Sequence, residues 1–133
     1  MEKIHVEGDP KLKNSSGKQY SMFIGRWQPW HKGHRWLIDQ RLNEGKNVLI
    51  CIRDVQPDEK NPFTTEQVHS NIVVELLDLI SEGRVEIIKI PDIESVNFGR
   101  GVGYDIIEHV PPTEVGEISA TKIREQLKQE GKL

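Results

Sequence analysis

The sequence predicts an α/β protein in which an open parallel sheet carries helices on both faces. Strand-like apolar runs alternate with helix-like patterned segments along the chain, which is typical of βαβ units. The 133 residues, of which 35% are hydrophobic and 29% charged, suit one compact domain. The run 47–52 is apolar almost throughout, as a strand covered on both sides requires. Together these observations predict a Rossmann-like, single-domain architecture.

The chain begins with a polar segment, residues 1–19, for which we expect a loosely attached N-terminal extension. The predicted domain covers residues 20–133. It opens with a short strand over 20–24, and a patterned segment then predicts a helix over 32–44. Gly45 is placed to end this helix, because glycine tolerates the left-handed conformation that follows a helix C-terminus.

The middle of the chain contains a second helix and a third strand. After a long charged loop, 53–63, the residues Thr-Thr-Glu-Gln at 64–67 form a capping-box pattern and predict a helix that ends at Gly83. An alternating run then predicts a strand over 84–90, which Pro91 ends. In such a sheet, ligands bind beyond the carboxyl ends of the strands.

The last third of the chain is less regular. A glycine-rich loop, 97–103, does not lie between a strand and a helix, so it is not a dinucleotide fingerprint. The apolar stretch 104–110 fits either a strand or a helix, and two prolines then end it. The residues 117–125 predict a final helix that continues towards the C-terminus.

The overall charge and the cysteine content exclude several classes of protein. A formal net charge of −3 argues against nucleic acid or a membrane surface as a partner, since such binders are usually basic. No run is long enough for a transmembrane helix, and the start of the chain has no signal-peptide pattern. The single cysteine, Cys51, lies in an apolar strand and has no partner for an internal disulfide. We therefore expect a buried thiol and a cytoplasmic protein.

The ten residues Gly-Arg-Trp-Gln-Pro-Trp-His-Lys-Gly-His at 25–34 are the most informative part of the chain. They lie where the first strand passes into the first helix, and a helix N-terminus offers free N–H groups to an anion. His31 and His34 are suited to donate hydrogen bonds to phosphate oxygens, and Gly33 lets a ligand approach the backbone. A helix cap and a zinc site are the other interpretations, but zinc lacks a cysteine pair or a third ligand nearby. The motif therefore predicts a polyphosphate site.

Two separated motifs resemble the signatures of a known family. Residues 25–34 resemble the His-x-Gly-His signature of the nucleotidyltransferase superfamily, which includes cytidylyltransferases and nicotinamide-mononucleotide adenylyltransferases. Asn-Pro-Phe-Thr at 61–64 is similar to the segment after strand two of those adenylyltransferases. Ile-Ser-Ala-Thr-Lys-Ile-Arg at 118–124 resembles the family's second signature, in a setting closer to the small glycerol-phosphate cytidylyltransferases. The resemblance covers residues 23–124.

The second motif is also suited to bind phosphate. Ser119 and Thr121 stand at the predicted start of the last helix, where hydroxyl and free N–H groups bind phosphate oxygens. Arg124, one turn later, reaches the same region with a forked guanidinium. A plain helix cap with an exposed arginine is the alternative interpretation. Ala120 departs from the hydroxyl or glycine that is usual at its position, which removes one donor but leaves the helix N-terminus.

The resemblance implies transfer of a nucleoside monophosphate from ATP or CTP to a small phosphorylated acceptor, with release of pyrophosphate. The implied catalytic residues are His31, His34 and Arg124. The implied nucleotide-binding residues are Gly25, Arg26, Gly33, Ser119 and Thr121. No dedicated metal site is expected, because Mg²⁺ arrives on the phosphates of the nucleotide. The alternative is a catalytically silent nucleotide-binding or sensing module, which binds nucleotide without releasing pyrophosphate.

Charged residues near the predicted sheet edge are candidates for the acceptor site. Arg53 and Asp54 follow the second strand there, and Arg100 lies in the glycine-rich loop. Arg26 and Lys32 flank the histidines, where contact with phosphate and ordinary solvated charge are equally good interpretations. The acceptor itself, whether a mononucleotide, a sugar phosphate or a polyol or amino-alcohol phosphate, stays open, as does the choice between ATP and CTP. Members of the family are often oligomers, so a homo-oligomer fits the resemblance.

Overall fold

The computed structural model describes residues 17–101 and 103–133. The predicted N-terminal extension falls mostly outside them, because residues 1–16 are not among the described ones. The elements in chain order are β1 (Tyr20–Gly25), α1 (Lys32–Leu42), β2 (Asn47–Asp54), α2 (Thr65–Glu75), α3 (Leu77–Ser81), β3 (Val85–Pro91), α4 (Thr113–Gly116) and α5 (Ala120–Gln129). The strands form one parallel sheet in the order β1-β2-β3, flanked by helices. The predicted α/β, Rossmann-like class is thereby confirmed.

Strand β2 is the centre of the sheet. Ile50 lies opposite Phe23 of β1 on one side and opposite Ile87 of β3 on the other. Alternate residues of a strand point to the same face, and Val48, Ile50 and Ile52 are all fully buried. They form one core with Leu76, which follows α2, and with apolar side chains of the first two helices, namely Ile38, Leu42, Val68 and Ile72. This core holds α1 and α2 on the sheet, and with them the loops that precede these helices.

Helix α1 ends through a glycine, as predicted. The N–H of Gly45 donates to the carbonyl of Leu42 at 3.0 Å, and the N–H of Lys46 donates to the carbonyl of Arg41 at 3.0 Å. Gly45 has a φ of 78°, the left-handed conformation that this closure needs. The regular part of the helix ends at Leu42, two residues before the predicted end, because the last turn already belongs to the closure.

Helix α2 begins with the predicted capping box. The hydroxyl of Thr64 accepts the N–H of Gln67 at 3.1 Å, and Oε1 of Gln67 accepts the N–H of Thr64 at 2.8 Å. The prediction of one continuous helix up to Gly83 was wrong, because Leu76, with a φ of −116°, separates α2 from α3. Leu76 is buried and continues the apolar pattern of α2, so hydrophobic periodicity alone gives no sign of the break.

The apolar stretch 104–110 forms neither a strand nor a helix. The ring of His109 stacks on Phe23 of β1, with centroids 6.2 Å apart. A cavity of about 960 Å³ is lined by this segment and by β1. Ile106 and Val110 are largely exposed, so burial of apolar side chains does not stabilise a regular element here.

The last part of the chain is helical. Helix α4 was not predicted, and it follows Pro112, a residue whose fixed φ favours a helix start. The predicted C-terminal helix is confirmed as α5, with Ser119 as its N-cap. Among the residues that the structure describes, no helix is long and apolar enough to cross a membrane. Cys51 is a buried free thiol, as predicted.

Candidate active site

The candidate site is built on the turn between β1 and α1, beyond the carboxyl end of β1. Trp27 anchors this turn, because its side chain is buried and its indole N–H donates to the carbonyl of Cys51 at 3.1 Å. The backbone of Trp27 has a φ of 54°, a left-handed conformation that non-glycine residues seldom adopt. A Cβ on Gly25 would lie 2.8 Å from the Trp27 ring. Glycine at this position therefore leaves the room that the indole occupies.

His31 and His34 cap helix α1 with their own side chains. Nδ1 of His31 accepts the N–H of Gly33 at 3.0 Å, and Nδ1 of His34 accepts the N–H of His31 at 3.2 Å. The two rings stack with centroids 3.6 Å apart and planes inclined by 23°. The ring of Trp27 packs edge-on against His34 at 4.8 Å. Both imidazoles are thus held in place by the backbone and by an aromatic neighbour.

Burial of the two imidazoles keeps both rings neutral. Burial lowers the pKa of His31, and burial together with the nearby His31 lowers the pKa of His34 to about 3. Because each Nδ1 already accepts a backbone N–H, the ring proton of each neutral imidazole resides on Nε2. The site therefore presents two neutral Nε2–H donors, neither of which is used by any other described residue.

Gly33 is required by the fold of the histidine turn. A Cβ at this position would lie 2.8 Å from Cε1 and 3.0 Å from Nδ1 of His31. The nearest neighbour of such a Cβ is the imidazole of His31, so the turn itself needs a glycine here, and the predicted close approach of a ligand stays a prediction. Any larger residue would displace the ring that caps the helix.

The second motif lies against the first, although 96 residues separate Gln28 from Arg124. Nη1 of Arg124 donates to the backbone carbonyl of Gln28 at 2.7 Å, and its Nη2 lies 3.3 Å from Oγ1 of Thr121. The hydroxyl of Ser119 accepts the N–H of Lys122 at 3.1 Å and so caps α5. The structure thus places Arg124 against the histidine turn. It also shows the helix cap by Ser119, which was the alternative interpretation of this motif.

Sequence reasoning missed the role of Gln28. Its side chain is only 6% exposed, and its amide pairs with the backbone of Phe63. Nε2 donates to the carbonyl of Phe63 at 2.9 Å, and Oε1 accepts its N–H at 3.0 Å. The available signal was the resemblance of residues 61–64 to a family segment, but a sequence alone does not show which group this segment contacts.

The candidate acceptor residues take part in contacts within the protein. Arg53 pairs with Asp92 at 2.6 Å and donates to the carbonyl of Ile93 at 3.0 Å, which joins the ends of β2 and β3. Asp54 accepts the hydroxyl of Thr65 at 2.6 Å, which joins β2 to α2. Both side chains thus hold the sheet edge together in the structure.

The other basic residues that were predicted to lie at the site, Arg26, Lys32 and Arg100, are exposed. Arg100 lies in an exposed turn and makes no hydrogen bond with another described residue. Arg26 and Lys32 are exposed beside the histidine turn. Hydrogen bonds from Asn61 lower the pKa of Asp58, and the charge of Arg26 adds a smaller effect. The structure therefore places Arg26 and Lys32 next to the site and does not bring Arg100 into it.

The described residues offer no built metal site. Within 17–101 and 103–133, no group of three or more His, Cys, Asp or Glu side chains is arranged to hold a metal ion. The histidine turn offers nitrogen donors, whereas Mg²⁺ prefers oxygen ligands. The chemistry of this donor set suits an anion.

Residues 22–109 match the family model described as cytidylyltransferase-like. The chain belongs to this family. The matched range includes the whole histidine motif at 25–34 and the 61–64 segment, and it ends before the second motif at 118–124.

Curated relatives extend the comparison. The chain is 30% identical over 76 residues to the nicotinamide/nicotinic acid mononucleotide adenylyltransferase of Acinetobacter baylyi, a match that covers 56% of this chain and 40% of the relative. It is 36% identical over 85 residues to the nicotinamide-nucleotide adenylyltransferase of Caldivirga maquilingensis, covering 56% and 43%. The enzyme of that name from Thermococcus kodakarensis is 31% identical over 97 residues, covering 71% and 50%. The chain thus spans half or less of the length of the curated relatives it matches.

Proposed function

We propose that this protein is a nucleotidyltransferase that moves a nucleoside monophosphate from ATP or CTP onto a small phosphorylated acceptor and releases pyrophosphate. The observation that carries the proposal is the pair of fixed, neutral Nε2–H donors of His31 and His34 at the N-terminus of α1. Arg124, held against the same turn, adds a permanent positive charge. Family membership supports the same class of reaction.

In the proposed reaction, an oxygen of the acceptor phosphate attacks the α-phosphorus of the nucleotide. A new P–O bond forms, the bond from the α-phosphorus to its bridging oxygen breaks, and that oxygen leaves with pyrophosphate. No general base is needed, because the acceptor phosphate is already ionised at neutral pH. Catalysis then consists of holding the reactants in line and stabilising the charge that develops on the phosphates.

The residues of the site divide this work. His31 and His34 donate from Nε2 to oxygens of the α- and β-phosphates, where negative charge increases as the bond breaks. Ser119, Thr121 and Arg124 bind the β- and γ-phosphates from the start of α5. The N–H groups of Gly33 and His31 are taken up by the histidine rings, so they orient the Nε2 donors and do not bind phosphate themselves. Mg²⁺ enters as part of the nucleotide substrate and neutralises its phosphates.

The names of the curated relatives favour ATP as the donor, because each is an adenylyltransferase acting on a nicotinamide nucleotide. A nucleoside monophosphate carries the phosphate oxygen that the proposed attack needs. We therefore propose ATP as the nucleotide donor and a mononucleotide as the acceptor. CTP with a polyol phosphate is the second donor and acceptor pair to test.

The experiment has two steps. Thermal unfolding is first followed with ATP, CTP, GTP and UTP, each with Mg²⁺, because a ligand that binds only the native state raises the midpoint. The nucleotide with the largest shift is then incubated with nicotinamide mononucleotide, sugar phosphates and polyol phosphates, and pyrophosphate release is measured. The proposal predicts release with one acceptor class. Tight nucleotide binding without release from any acceptor would instead support a sensing module.

A further inference from the structure

Gln28 occupies an unusual place for a polar side chain. It is 6% exposed, yet both ends of its amide are satisfied by a single residue, Phe63, in the loop before α2. The Gln28 amide pairs with the N–H and the carbonyl of Phe63 as one residue of a strand pairs with its neighbour. The two hydrogen bonds together fix the orientation of the amide plane. The buried amide therefore ties the histidine turn to the loop before α2.

The backbone of the same residue makes the contact with the second motif. The carbonyl of Gln28 accepts Nη1–H of Arg124 at 2.7 Å, a short, charge-assisted hydrogen bond. Helix α5 has no fully buried residue, so packing alone fixes its position weakly. The direction of one carbonyl thus has a large share in deciding where the guanidinium of Arg124 points.

We propose that Gln28 is a positioning residue, which through its buried amide and its carbonyl holds Arg124 beside the histidine pair. The inference rests on the proposed function, in which Arg124 binds the phosphates that leave. The amide fixes the turn, the turn fixes the carbonyl, and the carbonyl orients the guanidinium. Gln28 itself touches no reacting atom, and the proposal routes its effect through the carbonyl that accepts Arg124.

The test is a double-mutant cycle on the full chain with Gln28→Met and Arg124→Ala. Methionine has nearly the length of glutamine and no amide, so it removes both bonds to Phe63. The matched control is Gln67→Met, which removes a glutamine hydrogen bond from the same loop, at Thr64, without touching the turn. Two quantities are measured on every protein: the affinity for inorganic pyrophosphate by calorimetry, and kcat for pyrophosphate release.

We expect Gln28→Met to lower kcat and pyrophosphate affinity by about tenfold in the wild-type background and by less than about twofold when Arg124 is already alanine. Gln67→Met changes neither quantity. An equal loss in both backgrounds would show that Gln28 acts through the histidine turn or the fold and not through Arg124, which would overturn the proposal. A folded Gln28→Met protein with wild-type values would overturn it as well.

The two readouts separate this inference from the proposed function. Pyrophosphate binding without turnover would contradict the transferase activity. The pyrophosphate affinities of the double-mutant cycle would still decide whether Gln28 acts through Arg124. Absence of both binding and turnover in the wild-type protein would overturn both proposals.

A second measurement needs no variant and so covers the case in which Gln28→Met does not fold. The rotation of the Arg124 guanidinium is followed by nitrogen-detected NMR in the wild-type protein. The proposal predicts slowed rotation of this group compared with the exposed Arg100. Equally fast rotation of the two side chains would overturn it.

Discussion

His31 and His34 use Nδ1 for the backbone and keep Nε2–H for a ligand. The usual N-cap residues, Ser, Thr, Asp and Asn, have short side chains whose polar atoms all lie close to the helix end. An imidazole has a second nitrogen on the far side of the ring, so the same residue caps α1 and still offers a donor. The helix cap and the phosphate donor, which the sequence presents as alternatives, are therefore compatible in one residue.

The lowered pKa values make stability depend on pH in a defined direction. The neutral imidazole is favoured in the folded state, with His34 at a pKa of about 3 against 6.5 unfolded. The stabilising contribution is therefore complete above pH 6.5 and is lost as the pH falls below that value, because only the unfolded chain takes up the proton. Each ring contributes a slope of at most about 1.4 kcal/mol per pH unit.

Urea unfolding between pH 7.5 and 5 measures this slope. We expect the free energy of unfolding of the wild-type protein to fall as the pH drops below 6.5, and to fall less steeply in His34→Gln. The same slope in His34→Gln and in the wild type would contradict the pKa assignment.

Gly33 gives a second prediction at the residue scale. In an open helix, Gly→Ala stabilises by up to about 1 kcal/mol, but here the new Cβ would lie 2.8 Å from the His31 ring. We expect Gly33→Ala to destabilise the protein by about 1–3 kcal/mol and to weaken pyrophosphate binding. Gly99→Ala is the matched control, since a Cβ there meets nothing within 4 Å. A stabilised Gly33→Ala protein with normal binding would show that the His31 ring moves freely.

At the scale of elements, two variants of the N-cap of α5 distinguish helix capping from ligand binding. Ser119→Ala removes the N-cap and should cost about 1 kcal/mol. Ser119→Asp keeps the cap but places a negative charge where phosphates are proposed to bind. We expect Ser119→Asp to keep wild-type stability and to lose pyrophosphate affinity by about tenfold or more. Stability comes from urea unfolding and affinity from calorimetry, and an unchanged affinity in Ser119→Asp would mean that α5 only caps.

Elements with their own local signals could be predicted from the sequence. The capping box at Thr64 and Gln67 and the closing glycine Gly45 were found because their hydrogen bonds lie within a few residues. The break at Leu76 was missed because its apolar side chain fits the helical pattern on both sides. The segment 104–110 was expected to be a strand or a helix because a short apolar run fits both, but it forms neither, and several of its side chains are exposed.

At the scale of the whole molecule, the site depends on contacts that join distant parts of the chain. The sequence identified the segments 25–34, 61–64 and 118–124 separately, because each carries its own residue pattern. It could not show that Gln28 joins all three through Phe63 and Arg124, since such contacts across 35 and 96 residues leave no local pattern. The segments of the candidate site could thus be identified from the sequence, while the links that hold them together could not.

Pyrophosphate release by His34→Ala is the most direct test of whether the histidine pair stabilises the charge that develops on the phosphates. Single-turnover rates are compared among the wild type, His34→Ala and the control His69→Ala, with folding checked by thermal unfolding. We expect His34→Ala to lower the chemical rate by on the order of 100-fold or more, while His69→Ala keeps the wild-type rate. A folded His34→Ala protein with near-normal release would contradict it.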